Sequence, residues 1–303
     1  RLLEAAARAW DARRPARIAR GRGTSRIGIN RRVWRGDERP TDEHPEGIID
    51  RELTVLYVTS DEGRPLAVLA HHACHPTTTG DNRVTADFPG VMSRLVAARL
   101  GEGAIVGFLQ GCCGDINPRV TVDRGKRPLG DREVVQVGEE LAADVTRVLD
   151  GPLEDLAVDA IHARRETALL RVQRVPTADD LAARIDAPGI TGEWARHMQA
   201  RPERLLAEIP LELTHLRLGP DLALLAMDAE VTTPYGLAIR TMSGGRTLPL
   251  PYSNGMVGYV VTDRQLAEGG YEADESVPYF ALPAPFAPGI ETTVLDAIAR
   301  VLG

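Results

Sequence analysis

Three stretches of this chain bring together side chains able to hold a metal or move a proton. The first, Ala70-His71-His72-Ala73-Cys74-His75-Pro76-Thr77-Thr78, places three of the chain's seven histidines within five residues. Imidazole is the commonest protein ligand for zinc. On an extended strand His71, Ala73 and His75 share one face and His72 points to the other, so only one or two of the three can meet at a point. The competing reading is that these rings satisfy core hydrogen bonds or face solvent. The second stretch is the turn Gln110-Gly111-Cys112-Cys113-Gly114-Asp115-Ile116-Asn117-Pro118-Arg119. Gly111 and Gly114 let the backbone come close to a substrate and aim N–H groups at a developing oxyanion. A thiol nucleophile at Cys112 or Cys113 would need a base beside it, and adjacent cysteines in apolar surroundings are more often inert packing residues. The third pairs Met227-Asp228-Ala229-Glu230 with the tyrosine-bearing segment Tyr252 to Thr262 and with Glu268-Gly269-Gly270-Tyr271-Glu272. Taken singly, an acid at a strand end is usually a cap or an ion-pair partner, and a tyrosine usually packs with its hydroxyl wetted.

The elements that would carry these residues follow from periodicity. Residues 1–13 repeat apolar side chains at helical spacing, Pro15 ends that pattern, and basic residues dominate up to Arg35. Gly36 to Gly47 reads as an exposed loop. Leu53 to Thr59 and Leu66 to His72 read as a hairpin around Asp61-Glu62-Gly63-Arg64, which delivers the histidine cluster at a strand end. A helix following Asp87-Phe88-Pro89-Gly90 through Leu100 and a strand from Ala104 to Leu109 then make an α/β unit whose strand runs into the glycine-rich turn, where open α/β sheets usually place their chemistry. Helices are expected over Asp131 to Leu149, over Thr177 to Ile185 behind a Thr177/Asp180 capping box, and over Trp194 to Ala207 with an interruption at Pro202. A second hairpin, Leu211 to Leu218 and Leu222 to Met227, ends at Glu230. A helix from Thr233 to about Met242, a strand from Gly258 to Thr262 and a closing helix from Gly289 to Leu302 complete the pattern. The fold class expected is α/β, in its α+β mixed form, with mixed sheets, flanking helices and a zinc site at strand ends.

The bulk composition narrows the function classes. With 303 residues, 43% hydrophobic and 26% charged, the chain reads as one globular domain, 1–303. A net charge of −7 argues against a nucleic-acid partner. No apolar run is long enough to span a bilayer, and the start lacks a signal-peptide core. The chain opens on Arg1 without Met, already in a helical pattern, from which an upstream segment is expected. Cys74, Cys112 and Cys113 have neither zinc-finger spacing nor an even count, so they read as buried thiols.

Together the three stretches resemble, in order and local context, the neutral, non-lysosomal ceramidases, zinc enzymes that hydrolyse the amide of N-acylsphingosines. The resemblance runs from Asn30-Arg31 to about Glu272. It implies that His75, preceding Pro-Thr, is a zinc ligand, that Glu230 is the carboxylate ligand and that Tyr259, in a Gly-Tyr pair, is the ligating tyrosine. Tyr271 matches the family's second active-site tyrosine and Arg31, with Arg32 adjacent, its arginine. Ala86-Asp87-Phe88-Pro89-Gly90 and Gly114-Asp115-Ile116-Asn117-Pro118-Arg119 match two of its turns.

Two departures accompany the match. The family's first zinc ligand comes from a segment upstream of Arg1, so one ligand is expected from there, and the family's immunoglobulin-like C-terminal domain is not expected here. Asn117 stands where the family has its catalytic serine, and asparagine cannot be a hydroxyl nucleophile. The reaction implied is therefore attack by water activated on Zn2+. Tyr271 or Arg31 would stabilise the oxyanion, with Asn117 as an additional donor. Asp115 or a tyrosine would assist proton transfer, and Asp228 or Asp87 would orient a ligating imidazole. The substrate expected is a ceramide-like lipid, with peripheral membrane contact and an extracellular or periplasmic location by family resemblance. Two other readings stay open: a metal-dependent esterase or deacetylase on the same fold, and a relative that binds a ligand without turning it over.

Overall fold

Alternating apolar residues lay down two mixed sheets, and longer amphipathic runs cover their outer faces. The computed structural model describes residues 1–33, 41–44, 46–101, 103–123 and 129–303. In chain order the first half carries α1 (Leu2–Asp11), β1 (Arg17–Thr24), β2 (Gly28–Arg32), β3 (Thr41–His44), β4 (Glu52–Thr59), β5 (Pro65–His72), α2 (Asp87–Leu100), β6 (Ile105–Gln110), β7 (Ile116–Pro118), α3 (Asp131–Leu149) and β8 (Glu154–Leu156). The second half carries β9 (His162–Arg171), α4 (Ala178–Ala182), α5 (Ile190–Ala200), β10 (Glu208–Arg217), β11 (Ala223–Met227), β12 (Glu230–Val231), α6 (Thr233–Met242), β13 (Thr247–Leu250), β14 (Tyr259–Val260), α7 (Asp263–Glu268) and α8 (Ile290–Leu302).

Among the described residues the first sheet has the order β6-β5-β4-β1-β8 and the second β13-β11-β10-β9. Within them β5/β6 and β11/β13 run parallel and the remaining neighbours antiparallel. Two small sheets, β3-β2-β7 and β12-β14, lie near the strand ends. The period of two decides the layering. Leu53 and Val55 face one way on β4 and pack, with Val68 and Ala70, against Phe88, Met92 and Val96 of α2 and Leu141 and Val145 of α3. Leu56 faces the other way and meets Leu222 and Leu248 of the second sheet's side of the molecule. Beyond that, Leu211, Leu213, Leu225 and Met227 bury against Ile239 of α6 and Val294, Ile298 and Val301 of α8. The result is helices, sheet, sheet, helices, with mixed sheets and flanking helices as expected.

Several expectations need correction. The apolar periodicity of residues 1–13 does make a helix, but α1 buries no residue, and Leu2, Leu3 and Trp10 stand exposed. The stretch read as a loop from Gly36 to Gly47 contains β3, while 34–40 and 45 lie outside the described residues. The Thr177/Asp180 capping box is present, yet its helix stops at Ala182. The helix expected over Trp194 to Ala207 begins earlier and ends at Ala200, before Pro202. Of Gly258 to Thr262 only Tyr259–Val260 forms a strand. β1 was hidden in the basic stretch. Its Gly21 and Gly23 admit α3, since a Cβ at either would come within 2.5 Å of a Val148 methyl.

The crossing of α2 and α3 gives a direct test of packing. A Cβ on Gly138 would overlap Val91 and stand 3.0 Å from the Phe88 carbonyl oxygen. Overpacking costs about 1–3 kcal/mol, more than the roughly 1 kcal/mol that alanine gains over glycine in a helix. Gly138→Ala is therefore expected to lower the urea midpoint; a raised midpoint would mean that the two helices can part.

Candidate metal centre and active site

The parallel pairing of β5 with β6 ends at the rung His72↔Gln110, so the loops after both strands leave the same edge of the sheet side by side. Gly111 makes that possible. Its N–H donates to the His72 carbonyl oxygen at 3.0 Å, and a Cβ there would stand 3.2 Å from the Ala73 backbone. Three residues on, the Gly114 N–H donates to the Val231 carbonyl oxygen at 3.0 Å, which ties the turn to β12. Both amides expected to aim at an oxyanion are thus spent on joining the loops that build the site.

His75 is fixed twice by one residue of the neighbouring loop. Its backbone N–H donates to the Ile116 carbonyl oxygen at 3.2 Å, and its Nδ1 lies 2.8 Å from the same oxygen. A carbonyl only accepts, so Nδ1 carries the proton and Nε2 is turned into the site. There Nε2 meets Glu230 Oε1 and, at 3.2 Å, the Tyr252 hydroxyl. The other two histidines of the cluster are core residues: His71 Nε2 donates to the Pro249 carbonyl oxygen and His72 Nδ1 to that of Glu52, each at 2.9 Å.

Glu230 and Tyr259 are cross-strand partners, the first rung of the parallel pair β12/β14. Their side chains are close enough to influence each other's proton affinity, and the Tyr259 hydroxyl accepts from Arg31 at 3.0 Å. Arg31, on β2, is the hub of the site. Its guanidinium donates to Glu272 Oε1 at 2.8 Å, to Asn117 Oδ1 at 3.1 Å and to the Gly114 carbonyl oxygen at 2.8 Å. Its Cζ stands 5.7 Å from the ring centres of both Tyr259 and Tyr271, which pack edge to face on each other. Glu272 is shared with Arg32, so one buried carboxylate balances two guanidinium groups.

Burial and charge set the proton affinities. Burial would push the His75 imidazole down, but the adjoining Cys113 sulfur and Glu230 carboxylate reverse this and push it up to about 10. Burial raises Glu230, and the His75 ring more than offsets it, leaving the carboxyl below its ordinary value. Burial also raises the Tyr259 phenol, against the opposing Arg31 charge.

The structure therefore brings together His75, Glu230, Tyr259, Arg31, Asn117 and Tyr271. Asp115 sits beneath them with both carboxylate oxygens engaged. Oδ1 accepts from the Thr233 N–H and hydroxyl at 2.8 and 2.7 Å, and Oδ2 from Gln265 at 3.1 Å and Asn30 at 3.4 Å. With burial raising its pKa and four donors around it, Asp115 anchors the turn rather than facing a substrate. Neither acid expected to orient an imidazole does so. Asp87 accepts from the Thr78 and Phe88 N–H groups, and Asp228 from the Glu212 N–H, while the Ile116 carbonyl orients His75. Sequence reasoning missed Glu272 and Tyr252, although both lie in segments it singled out.

The donor set fits a zinc ion in kind: an imidazole oriented through Nδ1 with Nε2 turned inward, a carboxylate and a phenol. Among the described residues no three His, Cys, Asp or Glu side chains form a metal-holding cluster, and the groups beside His75 and Glu230 are phenols.

These elements define a mixed α/β fold with a candidate functional centre at its strand ends. No protein-family profile and no curated protein matches the chain. Among solved structures it is similar to the neutral ceramidase of Pseudomonas aeruginosa, with a TM-score of 0.68 and 17% identity over 99% of this chain and 54% of that one. It is equally similar to a ceramidase complexed with C2, with a TM-score of 0.68 and 16% identity over 98% of this chain and 54% of that one. The chain thus has a neutral ceramidase-like fold and spans about half the length of these structures.

Proposed function

We propose that this chain is a zinc-dependent amide hydrolase that cleaves an N-acylsphingosine or a similar N-acyl lipid to a fatty acid and an amine, and that residues 1–303 act as one hydrolase domain. The observation that supports it best is the meeting of His75 Nε2 with Glu230 Oε1, with Tyr259 the cross-strand partner of that glutamate, on a ceramidase-like fold. His75, Glu230 and Tyr259 would hold the zinc, which supplies Lewis acidity for hydrolysis.

The remaining roles belong to the chain's own groups. Arg31 is locked by Glu272, Asn117 and Gly114, so it is a preorganised positive charge that needs no rearrangement when negative charge develops on an amide oxygen. Tyr271, less buried than Tyr259, presents the hydroxyl best placed to reach a bound substrate and assist it. Asn117, whose Oδ1 is held by Arg31, keeps its amide N–H groups as donors and cannot form an acyl intermediate. Asp115 positions the turn that carries Asn117.

No helix among the described residues is long and apolar enough to cross a membrane. The exposed Leu2, Leu3 and Trp10 of α1 suit contact with a lipid surface, and an extracellular or periplasmic location accords with such a substrate.

The test is metal content together with hydrolysis of a fluorescent N-acylsphingosine, with a matched ester alongside. About one zinc per chain and chelator-sensitive release of the amine are expected. Cleavage of the ester alone would replace the amidase reading with an esterase, and zinc without either cleavage would leave a binding protein.

A further inference from the structure

Tyr252 lies at the centre of the site with no role assigned to it above. It sits in the loop after β13 with φ +60°, and Asn254 follows at φ +71°. A tyrosine in the left-handed region is uncommon and costs on the order of 1–3 kcal/mol, so it persists only where its surroundings over-determine it. Those surroundings are specific. The N–H groups of Tyr252, Ser253 and Val257 donate to the carbonyl oxygens of Ala229, Met227 and Asp228 at 3.0, 3.0 and 2.8 Å. Gly255 presses so close that a Cβ there would stand 3.1 Å from the Asp228 Cβ. The strained loop is therefore bolted to the three residues immediately before Glu230, and the same segment that delivers the carboxylate delivers the Tyr252 ring.

The hydroxyl is aimed accordingly. It lies 3.2 Å from His75 Nε2 and 3.3 Å from Cys113 Sγ, and the ring meets the imidazole edge-on with centroids 6.2 Å apart. Gln110 Nε2, 3.1 Å from the Cys113 sulfur, fixes the thiol behind it. With Nδ1 engaged by the Ile116 carbonyl, Nε2 is the ring atom that faces both the Glu230 oxygen and the Tyr252 oxygen. A nitrogen, a carboxylate oxygen and a phenol oxygen thus converge on the place a proton on Nε2 occupies, and all three are atom types that ligate a divalent cation once that proton leaves.

We infer that Tyr252 is a further zinc donor, its phenol oxygen joining His75, Glu230 and Tyr259 in the set of side chains that would hold the metal. The inference rests on the zinc reading given above, and it assigns the Cys113 thiol the task of positioning the hydroxyl.

The experiment is zinc competition against a chromogenic chelator for the full chain, for Tyr252→Phe and for Tyr252→His, with the visible spectrum of each protein loaded with Co2+. Tyr252→Phe is expected to bind zinc at least about tenfold more weakly, the lower end of what even outer-shell partners contribute. Its cobalt spectrum should shift, and Tyr252→His, which restores a donor, should recover affinity. The thermal midpoint of the metal-free Tyr252→Phe protein should match that of the parent, which separates lost ligation from misfolding. Unchanged affinity and an unchanged cobalt spectrum in Tyr252→Phe would overturn the inference while leaving the zinc reading intact. A parent chain that binds neither zinc nor Co2+ would overturn both.

Discussion

Replacing Arg31 with alanine is expected to lower the unfolding free energy by about 3–5 kcal/mol, the range for removing one partner of a buried ion pair. The guanidinium is buried, and it serves four acceptors drawn from distant parts of the chain: Glu272, Asn117, the Gly114 carbonyl and Tyr259. Glu272 would keep Arg32, which limits the damage at the carboxylate. Asn117 Oδ1 and the Gly114 carbonyl oxygen would each lose the Arg31 donor, at about 1–3 kcal/mol for a buried polar group left unsatisfied. Arg31→Lys should recover only part of the loss, because a single ammonium cannot span a fork that reaches four acceptors. Urea unfolding of both variants measures this directly. A loss below about 1 kcal/mol would place the network among ordinary surface pairs. On the functional side the same variant should lose hydrolysis while retaining zinc, since Arg31 touches the donors without being one.

His75→Ala is expected to weaken zinc binding by more than about 100-fold, because even groups that only orient a ligand contribute about 10–100-fold. The informative comparison lies within the same five residues. His71→Ala and His72→Ala remove rings that bond to the carbonyls of Pro249 and Glu52 and never reach the site. Those two should lower thermal stability and leave zinc affinity near that of the parent. Chelator competition on the three folded variants, compared with their melting temperatures, separates the roles. If His71→Ala or His72→Ala lost zinc as His75→Ala does, the metal would have to lie elsewhere in the cluster.

The contrast among those histidines shows what the sequence could express. Alternation on β5 allows His71 and His75 one face and His72 the other, but the chain leaves the strand at His72, so His75 is positioned by a loop whose path depends on Ile116, forty-one residues away. The hairpin 53–72, the long helix 131–149 and the closing helix were legible because each shows its own periodicity. β1 was not, because arginines and glycines occupy it. Its glycines exist for the approach of α3, and Arg20 is buried by pairing with Glu154. The resemblance named residues that the structure brings together, whereas the partnership of Arg31 with Glu272 joins positions 241 apart and leaves no local trace. Asp115 misled for the opposite reason. Its neighbours look catalytic, and only the tertiary structure shows that Thr233, Gln265 and Asn30 occupy its oxygens.

The two-residue ladder of β12 and β14 has a consequence for how the centre ages and fails. Glu230 and Tyr259 stand opposite each other because the Glu230 N–H donates to the Gly258 carbonyl oxygen at 2.9 Å and the Thr232 N–H to that of Val260 at 3.2 Å. Spacing between these two side chains is thus a property of backbone register, and side-chain packing has little say in it. So short a ladder opens as a unit, which makes the deuterium uptake of those two amides a clock for the integrity of the centre: metal should slow it, and any condition that speeds it should be felt in binding before the rest of the protein melts.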